Sequence, residues 1–214
     1  MPFRIAAAAG FSGAMLFVGS TIVGGFQFAA YDHASQFISE TYASGTPWGP
    51  WLRGMGFIPA GVLLCCFGVV GAYLHRNSRT LALGLLAYAV LYGLGTVVAS
   101  LAPCDFGCDP QEPSPSAAHL IHFAVGGLTY LLTPLALLMI AFGFRDHPQR
   151  SRHFSLLFVA ALLMLTCTIL LFSGSVPEWS GLVQRVAEGA ALSVPIVLSA
   201  DWWATPRNKA MIPS

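Results

Sequence analysis

Charge is what this sequence has least of. Asp, Glu, Lys and Arg make up 9% of the 214 residues, against about 25% in a typical soluble domain. That shortage excludes an ordinary water-soluble enzyme or binding domain. Basic residues interleaved with aromatics are missing, and a net charge of +1 offers no grip on nucleic acid. No glycine-rich phosphate loop or dinucleotide fingerprint occurs. Neither G-x-S-x-G nor H-E-x-x-H is present. The short alternating apolar segments of a transmembrane barrel are absent as well, and no internal repeat is visible.

Long apolar runs stand in place of charge, and hydrophobic residues reach 56%. Residues 5–31, 54–74, 80–104, 113–144 and 154–177 contain no Asp, Glu, Lys or Arg. A sixth run, 181–203, carries only Arg185, Glu188 and Asp201. Each is long enough for a helix crossing a ~30 Å hydrocarbon core, which takes about 20 residues. Backbone in lipid must satisfy its own hydrogen bonds, so the runs read as helices. The expected fold is all-α, a single six-helix transmembrane domain over 1–214. Its helices fall near 6–30, 53–74, 80–102, 117–143, 154–174 and 181–203. The first run is too long for the apolar core of a cleaved leader, and no clean small-x-small site follows it. It reads as a retained helix.

Six spans leave five loops and two tails. Arg4, Arg76, Arg79, Arg145, Arg150, Arg152, Arg207 and Lys209 then share one side, eight of the ten basic residues. By the positive-inside rule that side is cytoplasmic, and so are both termini. Asp32, Glu40, Asp105, Asp109, Glu112 and Glu178 fall on the other side. The expected location is a plasma or inner membrane.

The outward side holds the chemistry. Cys104 and Cys108 flank "DFG" in the loop "PCDFGCDPQEPSPSAAHLIHF". In an oxidising compartment such a pair closes a disulfide, and Gly107 eases the tight ring. The rival reading is zinc on Cys104, Cys108, His119 and His122, spaced C-x3-C-x10-H-x2-H. Free thiols are the third. Cys65, Cys66 and Cys167 lie in apolar runs and read as small buried hydrophobes.

Three polar clusters join that loop. Asp32, Ser35, Gln36 and Ser39 recur at i, i+3, i+4 and i+7, one face of a helical extension, with Glu40 adjacent and His33 to the side. His119 and His122 share a face at the start of the fourth helix. Arg185 and Glu188 lie within the sixth span, where a charge costs about 2.5–3.5 kcal/mol at the bilayer centre. They read either as a mutual ion pair or as the wall of an outward cavity that Gln184 extends. Asp201 sits beside two tryptophans at the far interface.

"SQFISE", "CDFGCDP", "HLIH" and "VQRVAEGA", in this order on six helices, resemble the prokaryotic membrane-protein family catalogued as domain of unknown function 998. The likeness runs from the first helix to the sixth. It implies that Ser39, Glu40, Cys104, Asp105, Cys108, His119, His122 and Arg185 occupy the family's polar positions. This loop departs from the pattern by placing Asp109 between the second cysteine and the proline. The family name carries no reaction with it.

Two functions follow. The first is an enzyme acting on a lipid or lipid-linked substrate, a hydrolase among the candidate classes. His119 or His122 would be the base, with Asp105, Glu40 and Ser39 completing the catalytic set. Arg185, Glu188, Asp32, His33 and Gln36 would hold the substrate, Arg185 as a fork on a phosphate or carboxylate. The second is a lipid-binding, sensing or assembly module without turnover. A transporter fits less well, because matched broken helices are lacking. No cofactor is expected, with zinc on His119, His122, Asp105 and His33 as the alternative. The expected partners are membrane lipids and no nucleic acid, with homo-oligomerisation open.

Overall fold

A computed structural model describes residues 2–145 and 151–204. Arg150, Arg207 and Lys209, three of the basic residues used for orientation, lie outside the described residues. Among those described there is no strand. Six helices are long and apolar enough to cross a membrane: α1 (Pro2–Gly25), α2 (Gly49–Leu74), α3 (Arg79–Leu101), α4 (Ala117–Gly143), α5 (Ser151–Ser173) and α6 (Ser180–Ala204).

Each helix packs against its neighbours in the chain, and α6 closes the ring against α1. The up-and-down order gathers Arg4, Arg76, Arg79, Arg145 and Arg152 at one end, where Arg4 lies over the Trp203 ring and Arg76 over Tyr73. The other end, called here the loop end, carries residues 26–48, 102–116 and 174–179. Large side chains such as Phe11, Ile22, Val90, Leu135, Val159 and Ile169 face outward all round the ring. Such an apolar rim suits lipid and not water.

Close contact replaces hydrophobic drive where both faces of a helix meet hydrocarbon. A Cβ on Gly68 would stand 2.6 Å from the Leu85 carbonyl, and one on Gly61 2.7 Å from that of Gly93. Only hydrogen at these positions lets α2 and α3 approach backbone to backbone. The basic half is filled by Phe67, Leu64, Leu85, Leu137, Ile140, Phe144 and Trp202.

Two helices loosen into π turns, at Leu52–Phe57 in α2 and Ala89–Leu94 in α3. In α2 the Ile58 N–H donates to the Arg53 carbonyl, a five-residue step just ahead of Pro59. Proline lacks the N–H for a regular four-residue bond, and the wider turn absorbs the mismatch. In α3 the Thr129 hydroxyl from α4 donates to the Leu91 carbonyl at 2.9 Å.

The loop end differs from the sequence expectation. Helix α1 stops at Gly25, and Asp32, Ser35 and Gln36 form a side-chain-stabilised turn instead of a helical stripe. Asp32 accepts from the Ala34 N–H at 2.9 Å and the Ser35 hydroxyl at 2.8 Å. The Gln36 amide oxygen accepts from the Asp32 N–H at 2.9 Å. Short polar side chains here outcompete the helix for its own backbone.

Candidate functional site

After that turn, residues 38–42 form one 3-10 turn, Ile38–Tyr42, which lies across the loop end as a strap. Three groups tie it down. The Gln27 amide donates to the Thr41 carbonyl at 2.7 Å, and its oxygen accepts from the Trp48 N–H at 3.0 Å. The Ile38 N–H donates to the Gln184 side-chain oxygen at 2.6 Å. Glu40 caps the turn locally, accepting from the Phe37 N–H at 2.7 Å and the Gln36 amide at 2.8 Å.

Arg185 ties down the turn that leads into the strap. Its guanidinium donates to the carbonyls of His33 (2.8 Å), Gln36 (2.9 Å) and Gly181 (2.9 Å), and to the Tyr31 hydroxyl (2.8 Å). It also stands over the Tyr31 ring. Its partners are therefore backbone and phenol, and no salt bridge joins it to Glu188 among the described residues. The ion-pair reading is replaced by a clamp between α6 and residues 31–36. Burial raises the Tyr31 hydroxyl above its ordinary pKa, with Arg185 opposing.

Beneath the strap lies a pocket of about 60 Å³. At roughly 10–15 Å³ per water it holds about four to six. Ile38, Ser39 and Tyr42 of the strap line it, with Phe17 of α1, Tyr92, Gly95, Thr96 and Ala99 of α3, His122, Gly126, Thr129 and Tyr130 of α4, and Gln184 and Glu188 of α6. Glu188 sits eight residues into α6, about 12 Å along its axis. One carboxylate oxygen accepts from the Tyr92 hydroxyl at 2.5 Å and the other from the Tyr130 hydroxyl. Tyr42, fully buried beside it, is raised above its ordinary pKa by burial and then by the Glu188 charge.

His122 has a readable tautomer. Its Nδ1 lies 2.9 Å from the Ala99 carbonyl and 3.2 Å from that of Ala102. Carbonyls only accept, so Nδ1 carries the proton and Nε2 is the basic nitrogen. His119 is reversed. The Asp105 N–H donates to its Nδ1 at 3.1 Å, which places the ring proton on Nε2. The 3.5 Å approach of Asp105 Oδ2 to the same nitrogen is then a contact and not an ion pair. Asp105 is held below the usual carboxylate range by hydrogen bonds from Ser116, backbone first. Asp32 is lowered too, by the Ala34 N–H and then Ser35.

The cysteine loop braces the strap from outside. Cys104 and Cys108 lie at disulfide distance, their Cα atoms 5.2 Å apart, and both are buried. Positive φ at Gly107 (+85°) and Cys108 (+47°) makes the tight return. Cys108 Sγ is 3.3 Å from the Ser39 hydroxyl, and the Cys104 carbonyl accepts from the Ser44 N–H at 2.8 Å. Cys104, Cys108 and His122 also form one group at metal-ligand spacing. His119 is outside that group, its Nδ1 being occupied by the Asp105 N–H.

The structure therefore sorts the sequence-predicted residues into three places. Ser39, His122 and Glu188 reach the pocket, as does Gln184. Asp32, His33, Gln36, Glu40 and Arg185 build the clamped turn and strap above it. Asp105, Cys104 and Cys108 form the flanking loop, with His119 of the first turn of α4 against it. Sequence reasoning missed Tyr42, Tyr92, Tyr130, Thr96 and Thr129. One signal pointed to the two tyrosines on Glu188, because an intramembrane acid needs donors and Tyr92 and Tyr130 lie within uncharged runs.

No curated protein and no solved structure matches the chain. The profile of the family described as "Protein of unknown function (DUF998)" matches residues 11–201, nearly the whole bundle together with its polar loop end. The chain thus belongs to the DUF998 family.

Proposed function

We propose that this multi-pass protein binds a membrane lipid or lipid-linked molecule by its polar headgroup, in the pocket beneath the 38–42 strap. In this reading the loop end faces away from the cytoplasm of a plasma or inner membrane, with both termini cytoplasmic, which the basic residues at the opposite end support. Cysteines placed at Asn77 and Gln111 and labelled from outside test this, since only the second should react. The observation that carries the reading is Glu188, a carboxylate deep in an apolar ring, held by two phenols at a pocket. Intramembrane ionisable groups are expensive and mark ligand paths. A pocket for about five waters suits a small headgroup and excludes a large sugar or peptide.

A second reading is chemistry on that lipid. Ser39 and His122 line the same pocket, and the basic Nε2 of His122 is the group a hydroxyl nucleophile would use. Nothing orients Ser39 toward it, since the Ser39 hydroxyl lies against Cys108, so binding is the better supported function.

Gly126 supplies the test. A Cβ there meets nothing within 4 Å, so Gly126→Leu fills the pocket without disturbing the backbone. Purified protein should retain bound lipid by native mass spectrometry, and the Gly126→Leu variant should lose it. Equal lipid on both would overturn the pocket as the site. Turnover of a lipid that vanishes in Ser39→Ala while binding persists would favour the enzyme.

A further inference from the structure

We infer that the pocket is an ammonium site, a cage of Phe17, Tyr42, Tyr92 and Tyr130 closed by the Glu188 carboxylate, which takes a cationic amine headgroup. This rests on the headgroup-binding reading above and names its chemistry. Four aromatic side chains from α1, the strap, α3 and α4 line one small pocket. Phe17 and Tyr92 have ring centroids 6.1 Å apart. Aromatic faces attract a desolvated cation through their quadrupoles, and cages of this kind recognise quaternary ammonium groups.

Charge balance gives the second argument. Both oxygens of Glu188 accept a phenol proton, the arrangement that suits an ionised carboxylate. Two neutral donors stabilise that charge without cancelling it. Among the described residues Glu188 has no salt bridge. Arg185, three residues earlier, is spent on the loop carbonyls and Tyr31. Arg53 donates to the Tyr42 carbonyl at 2.6 Å. His122, the basic side chain of the lining, directs its Nδ1 proton at backbone. A cation entering the pocket supplies the missing charge. Room for about five small groups matches an ammonium or trimethylammonium of about four or five heavy atoms. An anionic headgroup would meet the carboxylate head on.

The amine can come from a lipid or from solution, and two arms separate the sources. Full-length protein in detergent is titrated with choline and with 3,3-dimethylbutanol, its neutral isostere, following thermal stability. The same protein is offered an equal mixture of phosphatidylcholine, phosphatidylethanolamine and phosphatidylglycerol, and retained lipid is read by native mass spectrometry. Choline should stabilise and the isostere should not. Amine lipids should be retained at least tenfold over phosphatidylglycerol. Glu188→Gln, which keeps shape and acceptor oxygen, should erase both preferences, as should Tyr42→Leu. Lipid that binds in a Gly126-dependent way with no amine preference, or a preference surviving in Glu188→Gln, overturns the ammonium assignment and leaves the headgroup reading standing. Choline binding with no lipid retained keeps the ammonium assignment and overturns the lipid reading.

Discussion

Replacing Arg185 by Met tests how the strap is held. Methionine keeps an apolar stem and removes the guanidinium. Three bonds from Arg185 reach beyond its own helix, to the His33 and Gln36 carbonyls and the Tyr31 hydroxyl. Hydrogen bonds to a charged group contribute about 1.5–3 kcal/mol each, so their gross sum is about 4.5–9 kcal/mol. The His33 bond is exposed, and water replaces most of it. The Gln36 and Tyr31 bonds are part-buried and are replaced less well. The expected loss is about 2–4 kcal/mol in detergent unfolding. Hydrogen exchange should rise across residues 31–42 and stay unchanged in the basic half. Combining Arg185→Met with Glu188→Gln should give additive losses, coupled by less than about 0.5 kcal/mol, because the two share no partner. A loss under about 1 kcal/mol with residues 31–42 still protected, or a coupling of several kcal/mol between the two positions, would refute the clamp.

Alkylation of unfolded, unreduced protein should tag Cys65, Cys66 and Cys167 and spare Cys104 and Cys108; mass spectrometry reading two further tags would show the loop pair reduced. Acid should loosen the flanking loop through Asp105. Its pKa is lowered by folding, so its contribution is present above the ordinary value of 3.8 and is lost as pH falls below that value through the folded one. Exchange of residues 103–116 should therefore rise in that window, and Asp105→Asn should flatten the response. Tyr130→Phe removes one of the two donors on Glu188 and should cost about 1–3 kcal/mol in detergent unfolding, whereas Tyr73→Phe on the outer surface should change little.

The helices were legible because absence of charge is a long-range signal that needs no partner. Helix α4, capped by Ser116 accepting from the His119 N–H at 3.1 Å, begins where its polar-to-apolar step falls. The strap was not legible. The i, i+3, i+4 spacing of Asp32, Ser35 and Gln36 suits a helix and an Asp-led turn equally, and what decides is Arg185, about 150 residues away, taking the His33 and Gln36 carbonyls. Arg185 and Glu188 read from the sequence as needing partners, either each other or groups across a cavity, and spacing alone does not choose between them. All the partners but the Gly181 carbonyl sit on other elements, and two of them, Tyr92 and Tyr130, pass as apolar bulk in any hydropathy reading.

The closing of α6 against α1 has a consequence for biogenesis. The sixth span has the lowest mean hydropathy of the six, 1.3 against 2.6 for α5, and it carries both Arg185 and Glu188. Alone in lipid, Glu188 would face a cost of about 2.5–3.5 kcal/mol toward the bilayer centre. Its phenol donors and the His33 and Gln36 carbonyls that receive Arg185 come from segments synthesised earlier. The sixth span is thus a poor substrate for insertion by lipid partitioning and a good one for insertion by its own predecessors. Phenylalanine at both 92 and 130 should lower the fraction of α6 that inserts, readable by protease protection of newly made chains. In that sense the polar lining at the loop end serves as a receptor twice: first, during synthesis, for the protein's own sixth helix.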